Sequence, residues 1–426
     1  MNFWPYRSTP KYYRKSSSLD PAEGRPLLLF RHISIEEDSD EEIPASSSWK
    51  KYHDSRRLLW WLGGILIILG YYFHHWLFHF FVHHPVIPIE KAIEHWVDVG
   101  DNKYIWLRTW GRRDGGIPLL FVHGGPGQAV ADYHDGNKRF FDANRLFVVE
   151  VDQRGTGNSQ PSVRDDYRNM QFYENISIDM ISDDYEIIRE YLGIKEWVVW
   201  GGSYGSTISL NYCMRYPQSC TALLLRGIYL DTPTEVKEVY TQKAFEGDRR
   251  KSALFDILFQ LAQEDVEKAG EPPLDPNDDR RLLQVYERMI TRGDKNAIWT
   301  WHTFENNLME DDPLEQLDPL VIDPTKYAEA LSVAFFETRL WLHGVYEHPS
   351  NLLERVDRLA GIPTWICQGK HDNVCPPRNA RHLVDALDEA HVPLQAYFVE
   401  ANHEGTDPVM AVCLKNIMNE FLEFYT

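Results

Sequence analysis

Gly201-Gly202-Ser203-Tyr204-Gly205 directly follows the apolar run Trp197–Trp200. The spacing matches G-x-S-x-G, in which a strand turns sharply into a helix and presents a serine hydroxyl beyond the sheet. Glycines at 201 and 205 leave room for that crossing, and the helix N-terminus favours developing negative charge. A serine hydroxyl is a weak nucleophile without a base. In this strand–turn–helix setting its partners follow in the order serine, acid, histidine. Asp372 stands just after the apolar run Pro363–Gln368, and His403 just after Leu394–Val399. His371 and His391 lack such placement. The expected chemistry is acyl transfer: Ser203 attacks a carbonyl, His403 moves the proton, and Asp372 holds the imidazole tautomer. His123-Gly124-Gly125-Pro126-Gly127, after Pro118–Val122, can aim a backbone N–H at an oxyanion. Gly125 is the favoured donor there, with the Tyr204 N–H as the second. The same glycine-rich turns also occur in a hydrolase fold that has lost its chemistry. An aspartate-nucleophile hydrolase is excluded by the serine.

Those turns need strands ahead of them. Short runs rich in β-branched and aromatic residues predict strands at His95–Val99, Tyr104–Thr109, Pro118–Val122, Leu146–Val151, Trp197–Trp200 and Ala222–Leu225. Their nearly continuous apolar character suits buried strands. Helical stretches such as Ile178–Tyr191 and Thr207–Arg215 lie between them, so the pattern is α/β with a mostly parallel sheet. Residues 231–350 are charged, helical in period and rich in aromatics, with a breaker cluster at Glu271–Asp279; they read as a helical insert. The α/β pattern resumes at Pro363–Gln368 and Leu394–Val399, and Asp407–Phe424 reads as a final amphipathic helix. An insert that interrupts a sheet commonly covers the site at the strand ends.

The chain has 426 residues and a formal net charge of −20. That balance argues against binding nucleic acid through phosphates, which takes a basic face. Five cysteines are too few for a disulfide scaffold and leave the compartment open. Residues 1–57 carry net +1, and the −21 of the rest begins beside Leu58–Val82, a stretch with no Asp, Glu, Lys or Arg. A helix of that length is about 37 Å long, enough to cross the hydrocarbon core. Trp60, Trp61, Tyr71 and Tyr72 suit an interfacial belt. Lys50, Lys51, Arg56 and Arg57 precede it, so a single-pass anchor is expected, with a cytosolic N-terminus and the large C-terminal part luminal or extracellular. Residues 35–43 surround Ser39 with acids, like an acidic-directed kinase site. Glu23 with Leu27 and Leu28 resembles a sorting signal of endosomal or vacuolar proteins. His75, His79 and His83 share one helix face; a membrane interface accounts for them better than a metal. Asn175-Ile176-Ser177 is a glycosylation acceptor pattern for a luminal domain.

Five segments in order resemble the prolyl aminopeptidase (proline iminopeptidase) family of α/β-hydrolases: His123–Gly127, Asp152–Ser159, Gly201–Thr207, Arg226–Leu230 and Gly369–Pro376. The resemblance covers roughly residues 95–426 and implies an α/β-hydrolase fold with an inserted helical cap. The expected division is a tail over 1–57, an anchor over 58–82, core over 86–230 and 351–426, and the cap over 231–350. The resemblance also implies that cap glutamates receive the substrate's free α-amine. Glu305, in Trp301–Asn306, and Glu337, in Ala334–Glu337, match those positions. A cation in a closed aromatic pocket needs carboxylates, and water exclusion strengthens that pairing. Tyr204, His371 and the residues flanking His403 depart from the family pattern without removing a catalytic group, and they leave strictness for proline open. Arg154 and Arg226 are expected in structural ion pairs, and Cys375 is not expected to be a nucleophile.

The expected function is therefore a membrane-anchored serine aminopeptidase that releases N-terminal proline, with other small residues open, from peptides with a free N-terminus through Ser203, His403 and Asp372, with no metal or organic cofactor. An esterase, lipase or amidase with the same three residues is the alternative within enzymes. An inactive, membrane-tethered binding protein is the alternative outside them.

Overall fold

The computed structural model describes residues 92–133, 139–309, 318 and 321–425. The tail, the expected anchor over Leu58–Val82, Ser39 and the histidines from 74 to 84 lie outside the described residues. Among those described, no helix is long and apolar enough to cross a membrane.

Eight strands form one sheet in the order β1-β2-β4-β3-β5-β6-β7-β8. They are β1 (Ile93–Asp98), β2 (Tyr104–Gly111), β3 (Ile117–Val122), β4 (Leu146–Val151), β5 (Trp197–Ser203), β6 (Cys220–Ile228), β7 (Thr364–Gly369) and β8 (Leu394–Val399). The pairings β1–β2 and β2–β4 are antiparallel and all the others parallel. The central strands alternate between two cores, as a period of two requires. Leu119, Phe121, Val148, Val198, Trp200, Leu224 and Trp365 join a core closed by the last helix. Leu120, Val122, Val149, Val199, Leu223, Leu225 and Ile366 join the core on the opposite face. Both faces are covered, so these strands are apolar nearly throughout.

Helices α1 (Ile178–Tyr191) and α2 (Tyr204–Arg215) lie on that second face. Ser177 starts α1 by accepting the Met180 N–H at 3.3 Å. Between β6 and β7 come α3 (Pro233–Lys237), α4 (Arg249–Lys268), α5 (Asp279–Thr291), α6 (Lys295–Met309) and α7 (Tyr327–Arg339), which runs on as a π-helical stretch over Leu340–Val345. Helix α6 packs on α4 and α7, and α7 on α5. Helix α8 (Pro377–Glu389) joins β7 to β8, and α9 (Pro408–Phe424) closes the chain. Two disulfides staple the core: Cys213 of α2 to Cys220 of β6, and Cys367 of β7 to Cys413 of α9.

Candidate active site

Ser203 ends β5 and caps α2 with φ +57° and ψ −135°. A serine holds that sparsely populated conformation only where its surroundings impose it. They do so through a close crossing. A Cβ on Gly205 would lie 2.5 Å from the Val122 carbonyl oxygen, and one on Gly201 2.4 Å from that of Gly205. Strand and helix therefore approach as only glycine permits, and the Ser203 side chain is left partly exposed.

Asp372 and His403 come together behind it. His403 Nδ1 lies 3.0 Å from Oδ2 and 3.1 Å from Oδ1 of Asp372, and both residues are buried. The carboxylate also receives the Cys375 N–H at 2.7 Å, the Val374 N–H at 3.0 Å and the Gln368 amide at 3.2 Å. Burial works to raise the Asp372 carboxyl, but the attraction and hydrogen bonds of His403 and these N–H groups outweigh it and hold it below its ordinary value. Segment 226–228 of β6 borders both the histidine and the serine. Ile228 pairs with Ser203, and a Cβ on Gly227 would stand 3.2 Å from His403 Cε1. No hydrogen bond joins Ser203 to His403, and the Ser203 hydroxyl lies beside the buried Cys375 thiol. Such bonds commonly tighten only when substrate binds. Burial pushes the Cys375 thiol well above its ordinary value, so it is a poor nucleophile.

The glycine loop after β3 rests against the serine: a Cβ on Gly124 would lie 3.2 Å from Ser203 Cβ. The Gly124 N–H is already taken by the Tyr133 hydroxyl at 2.7 Å. Gly125, at φ +105°, has no acceptor for its N–H among the described residues. Tyr204 opens α2, so its N–H has no intrahelical acceptor. His123 anchors the loop. Its Nδ1 donates to the Gly124 carbonyl at 3.0 Å and its Nε2 accepts the Gln153 N–H at 3.1 Å. Burial lowers it to about 4, so it stays neutral. Asp152 links the turn that follows this loop to the loop after β4 by accepting the N–H groups of Val130 and Asn158.

Glu305 of α6 and Glu337 of α7 face each other in an aromatic recess. Tyr240 donates its hydroxyl to Glu305, and Trp301 Nε1 donates to Glu337 Oε2 at 2.7 Å. The Tyr240 ring stacks on Trp301 at 4.8 Å and meets Trp341 at 5.3 Å. Burial raises both carboxyls, Glu305 to about 7 and Glu337 well above its ordinary value; repulsion from Glu305 adds to the latter. Glu337 is 5% exposed, whereas Glu305 keeps partial exposure although protein surrounds it. Neither pairs with a basic side chain among the described residues.

Sequence reasoning missed four residues here. Tyr240 and Trp341 join the glutamates only through tertiary packing. Gln368 steadies Asp372 from the end of β7, and Tyr133 occupies the neighbouring loop N–H. Arg154 forms its expected ion pair with Asp184. Arg226 differs: its Nη1 donates to the His403 carbonyl at 3.0 Å rather than meeting a carboxylate, so it holds the histidine's backbone. No group of His, Cys, Asp and Glu among the described residues is arranged to hold a metal.

The alpha/beta hydrolase fold family model matches residues 117–404. A proline iminopeptidase of Neisseria meningitidis serogroup B is 30% identical over 332 residues, covering 77% of this chain and 95% of that one. The proline iminopeptidase of Arabidopsis thaliana is 30% identical over 331 residues, covering 75% and 77% respectively. That of Xylella fastidiosa strain 9a5c is 30% identical over 328 residues, covering 76% and 93%. With a fold, an elbow serine and relatives of that extent, the chain belongs to the proline iminopeptidase family of α/β-hydrolases, as a hydrolase of the prolyl aminopeptidase type.

Proposed function

We propose that the protein is a serine aminopeptidase that releases N-terminal proline, and other small N-terminal residues, from peptides. The observation that carries this reading is the pair Glu305 and Glu337: one partly exposed and one buried carboxylate in an aromatic recess, without a basic partner among the described residues. A cationic α-amine supplies the missing charge, and an internal peptide bond has none to offer. Ser203 attacks the carbonyl of the first peptide bond while His403 takes its proton. Asp372, already bonded to His403 Nδ1, fixes the tautomer that leaves Nε2 to act as base. The N–H groups of Gly125 and Tyr204 receive the oxyanion. His403 then protonates the leaving amine, and water resolves the acyl-enzyme. The helical insert acts as the cap that closes the site.

The reading includes a single-pass anchor over residues 58–82, with the catalytic part luminal or extracellular. Two observations support that side of the membrane. The pairs Cys213–Cys220 and Cys367–Cys413 suit an oxidising compartment. Asn175, in the acceptor pattern, is exposed.

The test is release of a fluorophore from a prolyl amide by the full-length chain and its Ser203→Ala variant. Turnover that vanishes in the variant is expected. Equal turnover in both removes Ser203 from the mechanism.

A further inference from the structure

Helix α7, which carries Glu337, rests on the core at two glycine turns. A Cβ on Gly127 would stand 2.6 Å from the Ser332 carbonyl oxygen and 2.8 Å from Val333 Cα. A Cβ on Gly155 would stand 2.8 Å from the tip of the Phe336 ring, which also meets the Tyr173 ring at 5.9 Å. A side chain at either turn would therefore lift the helix. Ser332 and Phe336 stand one helical turn apart, so they share the face of α7 that meets the core. Gly127 closes the loop that holds Gly125, and Gly155 lies in the loop after β4. The segment Asp152–Ser159, which supplies no reacting group, thus provides one of the two seats.

Ser332 adds a directed bond to this contact. Its Oγ donates to the Gly127 carbonyl at 2.7 Å, and the residue is buried. A serine inside a helix often turns its hydroxyl back to the carbonyl one turn earlier. Here the bond leaves the helix for a partner 205 positions away. Arg164 Nη2 reaches the same carbonyl only at 3.5 Å, and its guanidinium is committed to Asp132. The loop itself has other supports. The Tyr133 hydroxyl takes the Gly124 N–H, and Asp132 takes the Ala129 N–H at 2.7 Å. The loop thus keeps its shape from within the core, and α7 is placed against it.

From Ser332 to Glu337 the helix rises about 7.5 Å, and Glu337 is turned about 100° from Phe336. That turn brings it to the recess, where Trp301 Nε1 meets it at 2.7 Å. An α-amine lies a fixed two bonds from the carbonyl carbon that reacts. The site must hold its amine anchor and its oxyanion donor at a matching separation, since small misplacements are costly in rate.

We propose that Ser332 is a positioning residue: by seating α7 on the glycine loop it fixes the separation between Glu337 and the Gly125 N–H, and so restricts cleavage to the bond next to an α-amine. This rests on the roles proposed above for Glu337 and Gly125.

The test compares the full-length chain with its Ser332→Ala variant on two amides of one fluorophore. One is prolyl; the other is β-prolyl, whose amine lies one bond further from the carbonyl. The rate at which a fluorophosphonate labels Ser203 is measured beside them, because labelling needs the oxyanion donors but no amine. Wild type is expected to prefer the prolyl amide. In Ser332→Ala that preference falls by roughly tenfold, the size of one lost hydrogen bond. The fall comes from kcat on the prolyl amide, with KM and the labelling rate within about twofold of wild type. Phe336→Leu, at the second seat, should shift the preference in the same direction, so the result does not hang on one variant folding. Equal losses on both amides, or an unchanged preference in both variants, overturn the proposal while leaving the aminopeptidase reading in place. A matching loss of labelling also overturns it, because Ser332 would then shape the oxyanion loop itself. Wild type that cleaves an N-blocked prolyl amide as fast as the free one discards the amine recess, and the proposal with it.

Discussion

His403 Nδ1 stands 3.0 Å from Asp372 Oδ2, while Oδ1 of the same carboxylate receives the N–H groups of Val374 and Cys375. The loop that follows β7 thus fixes the carboxylate before the histidine meets it. Asp372→Asn keeps the shape but turns an acceptor into an amide that can donate, which favours the wrong imidazole tautomer. Its kcat on a prolyl amide is expected to fall by roughly 10⁴ with little change in KM. A fall under tenfold contradicts this role for Asp372.

The recess between α6 and α7 makes a different prediction. Glu337→Gln removes one of two carboxylates but keeps an acceptor for Trp301 Nε1. The loss of a buried charge pair is worth about 3–5 kcal/mol, so kcat/KM for a free-amine substrate should fall by roughly 10²–10⁴. Any residual hydrolysis of an N-blocked ester should be unaffected. Parallel losses on both substrates contradict an amine-binding role.

Protonation of the same pair sets a pH dependence. Burial raises both carboxyls, Glu305 to about 7 and Glu337 well above its ordinary value, and repulsion from Glu305 adds to the latter. A substrate α-amine stays charged up to about pH 8. KM for the free prolyl amide should therefore fall as pH climbs from about 5 to 7.5, then rise as the amine loses its proton. Stability runs the other way. Raised carboxyls bind more protons folded than unfolded, so the ligand-free protein loses stability as pH rises from 4.5 through about 7. Glu305→Gln removes part of that loss, and its thermal midpoint should gain on wild type between pH 5 and 8. A constant difference across that range contradicts the shift.

The Cys367–Cys413 bridge spans 46 residues and ties the strand leading to Asp372 onto the last helix. On the chain-entropy account, closing such a loop stabilises by about 4 kcal/mol. Cys367→Ala should lower the denaturant midpoint accordingly while the buried Cys375 stays unlabelled in the native state. An unchanged midpoint removes this bridge from the stabilising set.

Much of the scaffold was legible because burial on both faces leaves continuous apolar runs with clear stops. The sequence reading placed α1 over Ile178–Tyr191, the structure's own limits, since Ser177 caps it and Gly193 follows it. Strands β5 and β6 run further than their apolar centres, to Ser203 and from Cys220 to Ile228, because pairing continues through glycine and arginine. Ser203, Asp372 and His403 could be located because each follows a strand. Tyr240 could not: it reaches Glu305 across 65 residues, through helices whose mutual packing no local pattern specifies. The disulfides were hidden for the same reason, since five cysteines allow several pairings.

Side-by-side rates on a free prolyl amide and its N-blocked counterpart, with the full-length chain, test the central claim most directly. The account predicts Ser203-dependent cleavage of the free substrate and an inert blocked one, because only the free amine can neutralise Glu305 and Glu337. Equal cleavage of both would contradict the amine recess and move the protein to the esterases and amidases that share its serine, histidine and aspartate.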